Sequence, residues 1–390
     1  MADPQTEAPL AGVRVLELAR ILAGPWAGQM LADLGADVIK VESPAGDDTR
    51  RWGPPFIERE DGSREAAYFH CCNRGKRSVT ADFATEEGRA LVTRLAEGAD
   101  VVIENFKVGG LARFGLDYAS LSARNPGLVY CSITGFGQDG PYAHRAGYDY
   151  IIQGMSGLMS ITGEPDGQPM KVGVAVTDIL TGLNAVAAIL AALLQRGRTG
   201  RGQHIDMALL DCAVAATANQ AMNYLATGTP PGRLGNAHPN LVPYQVFDCA
   251  DGWIIIAVGN DAQFRRLCAV LDLPELAADP AFATNAGRVE GRARLVPRIN
   301  RATARWRRDA LLAACEAEGI PAGPINDLAD VFADPQVIAR GLRISPGGIP
   351  GVRSPMLFSA APLRLDRPAP RLDEHGAAIR AHGWEACAEG

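Results

Sequence analysis

The chain has 390 residues, 47% of them hydrophobic and 21% charged, which is enough for two domains with a large core and unlike a disordered chain. Its formal net charge of −6 argues against a broad nucleic-acid footprint. The 8 cysteines include one adjacent pair and no Cys-x-x-Cys, and the 6 histidines form no paired motif, so neither a disulfide framework nor a metal site is expected.

In chain order, the N-terminal MADPQTEAPLAG has no basic n-region followed by an apolar run, and the expectation is a cytoplasmic protein. GVRVLELARILAGPWAGQMLADLGADVIKVE reads as a strand at 13–18, a Gly-Pro turn, a helix at about 26–34 and a strand at 37–42. That is a βαβ unit, so a parallel sheet follows. A helix at 86–97, the strand DVVIEN, a helix around YASLSARNP and the strand LVYCSIT continue the alternation. The fold class is therefore α/β, an open Rossmann-like parallel sheet with helices on both faces.

A helix at 178–195 comes next, whose longest unbroken apolar run, 185–194, is about half of the ~20 residues a bilayer needs, so no membrane partner is expected. After the turn RGRTGRGQ, the strand HIDMAL leads into an Ala-rich helix ending near 226. TGTPPGRLGNAHPNLVPY is dense in Gly, Pro and Asn, as a linker or active-site loop would be. Beyond it, WIIIAVG, DAQFRRLCAVL and Arg-rich helices between 287 and 318 look like a smaller α+β domain. The expected division is 1–205 for a large domain, 206–224 for a linker helix, 225–325 for the small domain and 326–390 for a segment returning to the large one.

Most familiar motifs are absent. The first turn, ARILAGPWAG, lacks the G-x-G-x-x-G that a dinucleotide needs, although Glu42 ends the second strand where a ribose-binding acid would sit. RGRTGRGQ lacks the spacing of a phosphate loop and reads as a helix C-cap with its turn. GMSGL around Ser156 is not a nucleophile elbow. What stands out is Asp178, the one carboxylate in VGVAVTDILTGLNAVAAILAALL, where a β-branched run gives way to a helical one. Two readings stay open: a helix N-cap accepting amides of the first turn, or a nucleophile, since a carboxylate is ionised at neutral pH and partial burial strips its water.

Together PLAGVRVLELARILAGPWAGQMLADLGADVIKVE, GDDTRRWGPPF, NRGKRSV, ENFKVGGLARFGLDY, YCSITGFGQDGPY, AGYDYIIQGMSGLMSITGEPDG, VGVAVTDILTGLNAVAAIL and RTGRGQHIDMALLD resemble the family III CoA-transferases, the CaiB/BaiF group. LVPYQVFDCADGWIIIAVGNDAQFRRLCAVLDLPEL resembles the branch that includes the succinyl-CoA:glutarate CoA-transferases. The resemblance implies transfer of CoA from an acyl-CoA donor, succinyl-CoA in that branch, to a free acid such as glutarate, malate or itaconate. It implies no metal or prosthetic group, and an interlocked homodimer. Asp178 would be the nucleophile, through an aspartyl anhydride and an aspartyl-CoA thioester. CoA contacts carry over to Arg20, Ile21, Ala23, Asn105, Phe106 and Arg113, and Tyr68, Tyr148 and Asp149 match positions close to the nucleophile.

Ser43 and Ala84 stand where an Arg and a Lys hold phosphate elsewhere in the family, and Arg50 or Arg51 would have to compensate. No mobile Gly-rich loop is present, and His238 in GNAHPNLVPY lies near its place, either to contact the acceptor carboxylate or to pack its loop. Two alternatives remain on the same fold: an α-methylacyl-CoA racemase, for which Tyr148 at the His position is a poor acid/base group, and a CoA-binding protein without turnover.

Overall fold

A computed structural model describes residues 7–59 and 62–387, so residues 1–6 of the stretch read for a leader lie outside the described residues. Two compact units divide the chain: a large one of residues 1–158, 171–228 and 336–390, and a small one of residues 159–170 and 229–335.

The large unit is built on a six-stranded sheet: β1 (Arg14–Glu17), β2 (Asp37–Glu42), β3 (Arg77–Thr80), β4 (Val101–Glu104), β5 (Val129–Thr134) and β6 (His204–Ala208). Every neighbouring pair is parallel and the spatial order is β3-β2-β1-β4-β5-β6, that of a doubly wound sheet whose order reverses at β1 and β4. Alternate residues serve opposite faces. Val15, Val38, Ile103 and Cys131 pack on one side against helices α1 (Ala23–Asp33) and the later Ala/Leu-rich helix. Leu16, Ile39, Val102 and Tyr130 pack on the other against α2 (Glu86–Glu97) and the C-terminal Ile379 and Trp384. Both faces being covered explains the near-continuous apolar strands. The Trp384 indole N–H donates to Leu95 O at 2.8 Å, fastening the returning segment.

After β5 come α3 (Asp149–Met155), α4 (Val176–Thr199), α5 (Leu209–Ala216) and α6 (Ala218–Thr227). The expected single Ala-rich helix is thus two, broken where Ala218 takes φ +41. At 24 residues α4 is long and apolar enough to cross a membrane by length and composition, which the unbroken run 185–194 does not reveal. It buries Ala185, Val186, Ile189 and Ala192 in the core beside the sheet. Gly200, at φ +70, closes it by donating its N–H to Arg196 O, the C-cap read from RGRTGRGQ.

The small unit carries an antiparallel sheet of β7 (Tyr244–Cys249), β8 (Gly252–Ala257) and β9 (Ala322–Pro324), in the order β9-β8-β7. Its core gathers Phe247, Ile254, Phe264, Phe282 and Leu311. The sequence reading places this domain at 225–325; the compact unit spans 229–335 together with 159–170. The physical reason is a local clasp: the Arg233 guanidinium donates to the carbonyls of Glu164, Pro165 and Gly167, and Gly235 N–H donates to Gly163 O.

Candidate active site

Asp178 is not an N-cap. Helix α4 begins at Val176, Ala175 is its cap residue without a side-chain bond, and Asp178 is the third helical residue; the β-branched run before it forms no strand. The capping is done from a distance by Asp149, the first residue of α3. Its Oδ1 accepts from Thr177 N–H at 2.8 Å and from Thr177 Oγ1 at 2.7 Å. Its Oδ2 accepts from Gln153 Nε2 at 2.8 Å, while Gln153 Oε1 accepts from Val172 N–H at 2.9 Å. Two segments far apart in sequence are thereby stapled together. A close backbone approach places the first of them, since a Cβ on Gly147 would lie 2.4 Å from the Cα of Gly135 at the end of β5.

With Asp149 serving as the cap, the Asp178 carboxylate is left alone. Among the described residues it accepts no side-chain hydrogen bond and forms no ion pair, and the residue is half-buried. Burial, and secondly the charge of Asp149, push its carboxyl up to about 7. The Tyr68 phenol is raised too, by burial first and then by Asp178, so it remains a hydrogen-bond donor; its ring stands edge-on to Trp52 at 5.3 Å. Tyr148 immediately precedes α3 and is exposed.

A cleft of about 400 Å³ opens at the C-terminal ends of β1, β2 and β4, the usual ligand side of an open parallel sheet. Phe83, Phe106 and Phe114 line it, with ring centroids 5.9 Å (Phe83 to Phe106) and 6.0 Å (Phe83 to Phe114) apart, and the Arg113 guanidinium lies 4.5 Å over Phe114. The arrangement offers an apolar platform for a flat ring beside a cation for an anion. Phe106 and Arg113, both read from the sequence, meet here with two phenylalanines that sequence reasoning missed.

The other expected contacts are placed as follows. Asn105 turns its amide to the backbone of Arg20, accepting from Arg20 N–H at 2.9 Å and donating to Arg20 O at 2.7 Å, so it holds the first turn. Arg20 is exposed, 3.1 Å from Asp48. Ala23 is buried in the core. Ile21 has a left-handed backbone, φ +72. Arg50 is not available for phosphate: it is buried, bonded to both oxygens of Glu42 at 2.7 and 2.8 Å, paired with Glu65, and stacked 3.7 Å from the Phe69 ring. Arg51 stays at the surface, 3.4 Å from Asp48. His238 belongs to the small unit, where its Nδ1 accepts from Asn240 N–H at 3.0 Å and its ring rests 5.0 Å from Tyr244, a loop-packing geometry.

The sequence reading also passed over Glu17, Lys40 and Asp47, which sit under the first turn. The signal was there: two charges inside strands covered on both faces must be paired.

The family described as CoA-transferase family III matches residues 10–376. The succinate–glutarate CoA-transferase of Agrobacterium fabrum is 61% identical over 385 residues, covering 97% of this chain and 96% of that one. The succinyl-CoA:glutarate CoA-transferase of Mus musculus is 45% identical, covering 96% and 86%. A crystal structure of a CAIB/BAIF family protein from Brucella suis superposes with a TM-score of 0.88 at 64% identity, covering 96% of this chain and 99% of that one. Sequence and fold agree over nearly the full length, and the chain belongs to CoA-transferase family III.

Proposed function

We propose that this enzyme moves coenzyme A from succinyl-CoA to glutarate or a similar short dicarboxylate, with Asp178 as nucleophile. The observation that carries the reading is the unpartnered, half-buried Asp178 carboxylate in the first turn of α4. The names of the relatives above support the substrate pair, and a homodimer is what the family resemblance implies.

The chemistry follows from what a carboxylate can do. An Asp178 oxygen attacks the thioester carbonyl carbon, the C–S bond breaks, and an aspartyl-succinyl anhydride and CoA thiolate form. The thiolate attacks the aspartyl carbonyl of the anhydride, releasing succinate and leaving an aspartyl-CoA thioester. Glutarate then attacks that thioester, the thiolate leaves, and its return to the glutaryl carbonyl gives glutaryl-CoA and free Asp178. No proton is gained or lost overall and no resident cofactor is needed. Every intermediate stays activated, which a serine ester would not, and water has to be kept out because each would hydrolyse. The raised carboxyl makes its ionised form the stronger nucleophile.

Incubation with succinyl-CoA alone, trapping with hydroxylamine and mass spectrometry of the peptides tests this. A hydroxamate at Asp178 is expected, with glutaryl-CoA formed once glutarate is added. Turnover without an adduct at Asp178 would overturn its role.

A further inference from the structure

The first turn, residues 19–25, is held at its backbone by side chains from other elements. Besides the Asn105 clamp on Arg20, Lys40 Nζ donates to Ala19 O at 2.8 Å, Lys76 Nζ donates to Pro25 O at 2.8 Å, and Ile21 N–H donates to the Asp47 carboxylate at 3.3 Å to each oxygen. Those charged groups form one connected chain. Asp47 Oδ2 lies 3.0 Å from Lys40 Nζ, Lys40 Nζ lies 3.0 Å from Glu17 Oε1, and Lys76 Nζ reaches Glu17 Oε2 at 2.8 Å. All four side chains are essentially inaccessible, at 1% exposure or less.

Burial alone would lower the ammonium of Lys40, but Glu17 and Asp47 outweigh it and keep it charged; likewise burial would raise Asp47, but Lys40 and the Thr49 bonds bring it down. Two ammonium groups and two carboxylates inside a sheet core are costly to desolvate, and an apolar set of the same volume would commonly be no less stable. What the charges do that leucines could not is bond the turn. The turn needs it: Ile21 is β-branched and sits at φ +72, a conformation that persists only where the surroundings impose it. Cys72 Sγ, 3.6 Å from Ile21 O, completes the enclosure.

We propose that the buried Asp47–Lys40–Glu17–Lys76 chain is a positioning device that holds Ile21 in its left-handed conformation, so that the Arg20–Ile21 turn at the cleft is preformed for the CoA chain of the substrate. The inference rests on CoA being the ligand of that cleft. Asp47 is then a positioning residue, acting through Ile21.

The test uses the full chain in four forms: wild type, Asp47→Asn, Asp47→Ala, and Asp47→Ala with Ile21→Gly. Calorimetric Kd for CoA, and KM and kcat with succinyl-CoA and glutarate, are measured for each. Asp47→Ala is expected to weaken CoA binding roughly tenfold, because the turn must climb into the disfavoured conformation on binding, with kcat within about twofold. Asp47→Asn, which keeps an acceptor for the Ile21 N–H, loses less. Adding Ile21→Gly to Asp47→Ala recovers most of the affinity, since glycine takes positive φ freely, but not the lost melting temperature.

A purely structural Asp47 would not show that separation. Equal CoA affinity in Asp47→Ala and wild type, or no gain from the added glycine, overturns the proposal. If Asp47→Ala does not fold, amide exchange on wild type decides: the Ile21 amide is expected to be protected before CoA is added, and protection appearing only with CoA overturns the idea. A wild type that binds CoA without transferring it would refute the transferase substrates and leave this proposal standing; one that binds no CoA would sink both.

Discussion

The first turn and the start of α4 are treated in opposite ways. At the turn, the backbone groups of Ala19, Arg20, Ile21 and Pro25 are tied down by the side chains of Lys40 in β2, Asn105, Asp47 and Lys76. At the helix start, the hydrogen-bonding duty passes to Asp149, and Asp178 is left with none. Under the roles proposed above, the contrast teaches how one sheet makes two kinds of site. A cradle for a long flexible ligand gains from saturating its bonds, because a fixed backbone loses no freedom on binding. A nucleophile gains from the withholding of partners, because each bond to a carboxylate oxygen occupies a lone pair and stabilises the resting anion.

The comparison breaks most visibly at Asp178. Asp178→Asn should cut CoA transfer by at least about 10⁴-fold while CoA affinity stays within about threefold, as read by steady-state rates and calorimetry. The same variant carries a stability signature. With its carboxyl raised from 3.8 to about 7, the native state keeps a proton that the unfolded chain has lost across that window, so Asp178 makes the wild type less stable as pH rises through it. Asp178→Asn should therefore melt above wild type at pH 8, the gap closing towards pH 4; a lower melting temperature at pH 8 would show that the carboxylate is not destabilised at all.

The pH profile sharpens the comparison further. Only the ionised carboxylate attacks, so kcat/KM for succinyl-CoA should fall below pH about 7, approaching tenfold per unit. Asp149→Asn keeps an acceptor for Thr177 and removes the neighbouring charge, and its acid limb should move to lower pH. An unmoved limb would limit Asp149 to capping. The smallest effect belongs to the rim of the cleft: Arg113→Ala should raise KM for succinyl-CoA by about tenfold with little change in kcat, and an equal loss in kcat would place Arg113 in the chemistry instead.

Much of the frame was legible. Strands 13–18 and 37–42 around a helix predict the βαβ unit, and the observed Arg14–Glu17 and Asp37–Glu42 differ from that reading only at the ends. Hydrophobic periodicity is local, so it survives in the sequence. The clasp of Arg233 on 164–167, which moves a stretch of chain into the small unit, has no such periodicity. Nor does the direction of Asn105: a motif can place an amide near a ligand, but not say whether it faces the ligand or the neighbouring turn.

By itself the sequence determined the parallel sheet, the apolar helix that carries Asp178 and the family to which the chain belongs, because these depend on residue type and spacing along one segment. Only the tertiary structure decided which carboxylate caps α4 and which stays free, that Arg50 is consumed by Glu42 and Glu65, and that four buried charges meet beneath Ile21. Those outcomes depend on distances of about 3 Å between residues tens of positions apart, and such distances exist only after the sheet has closed over them.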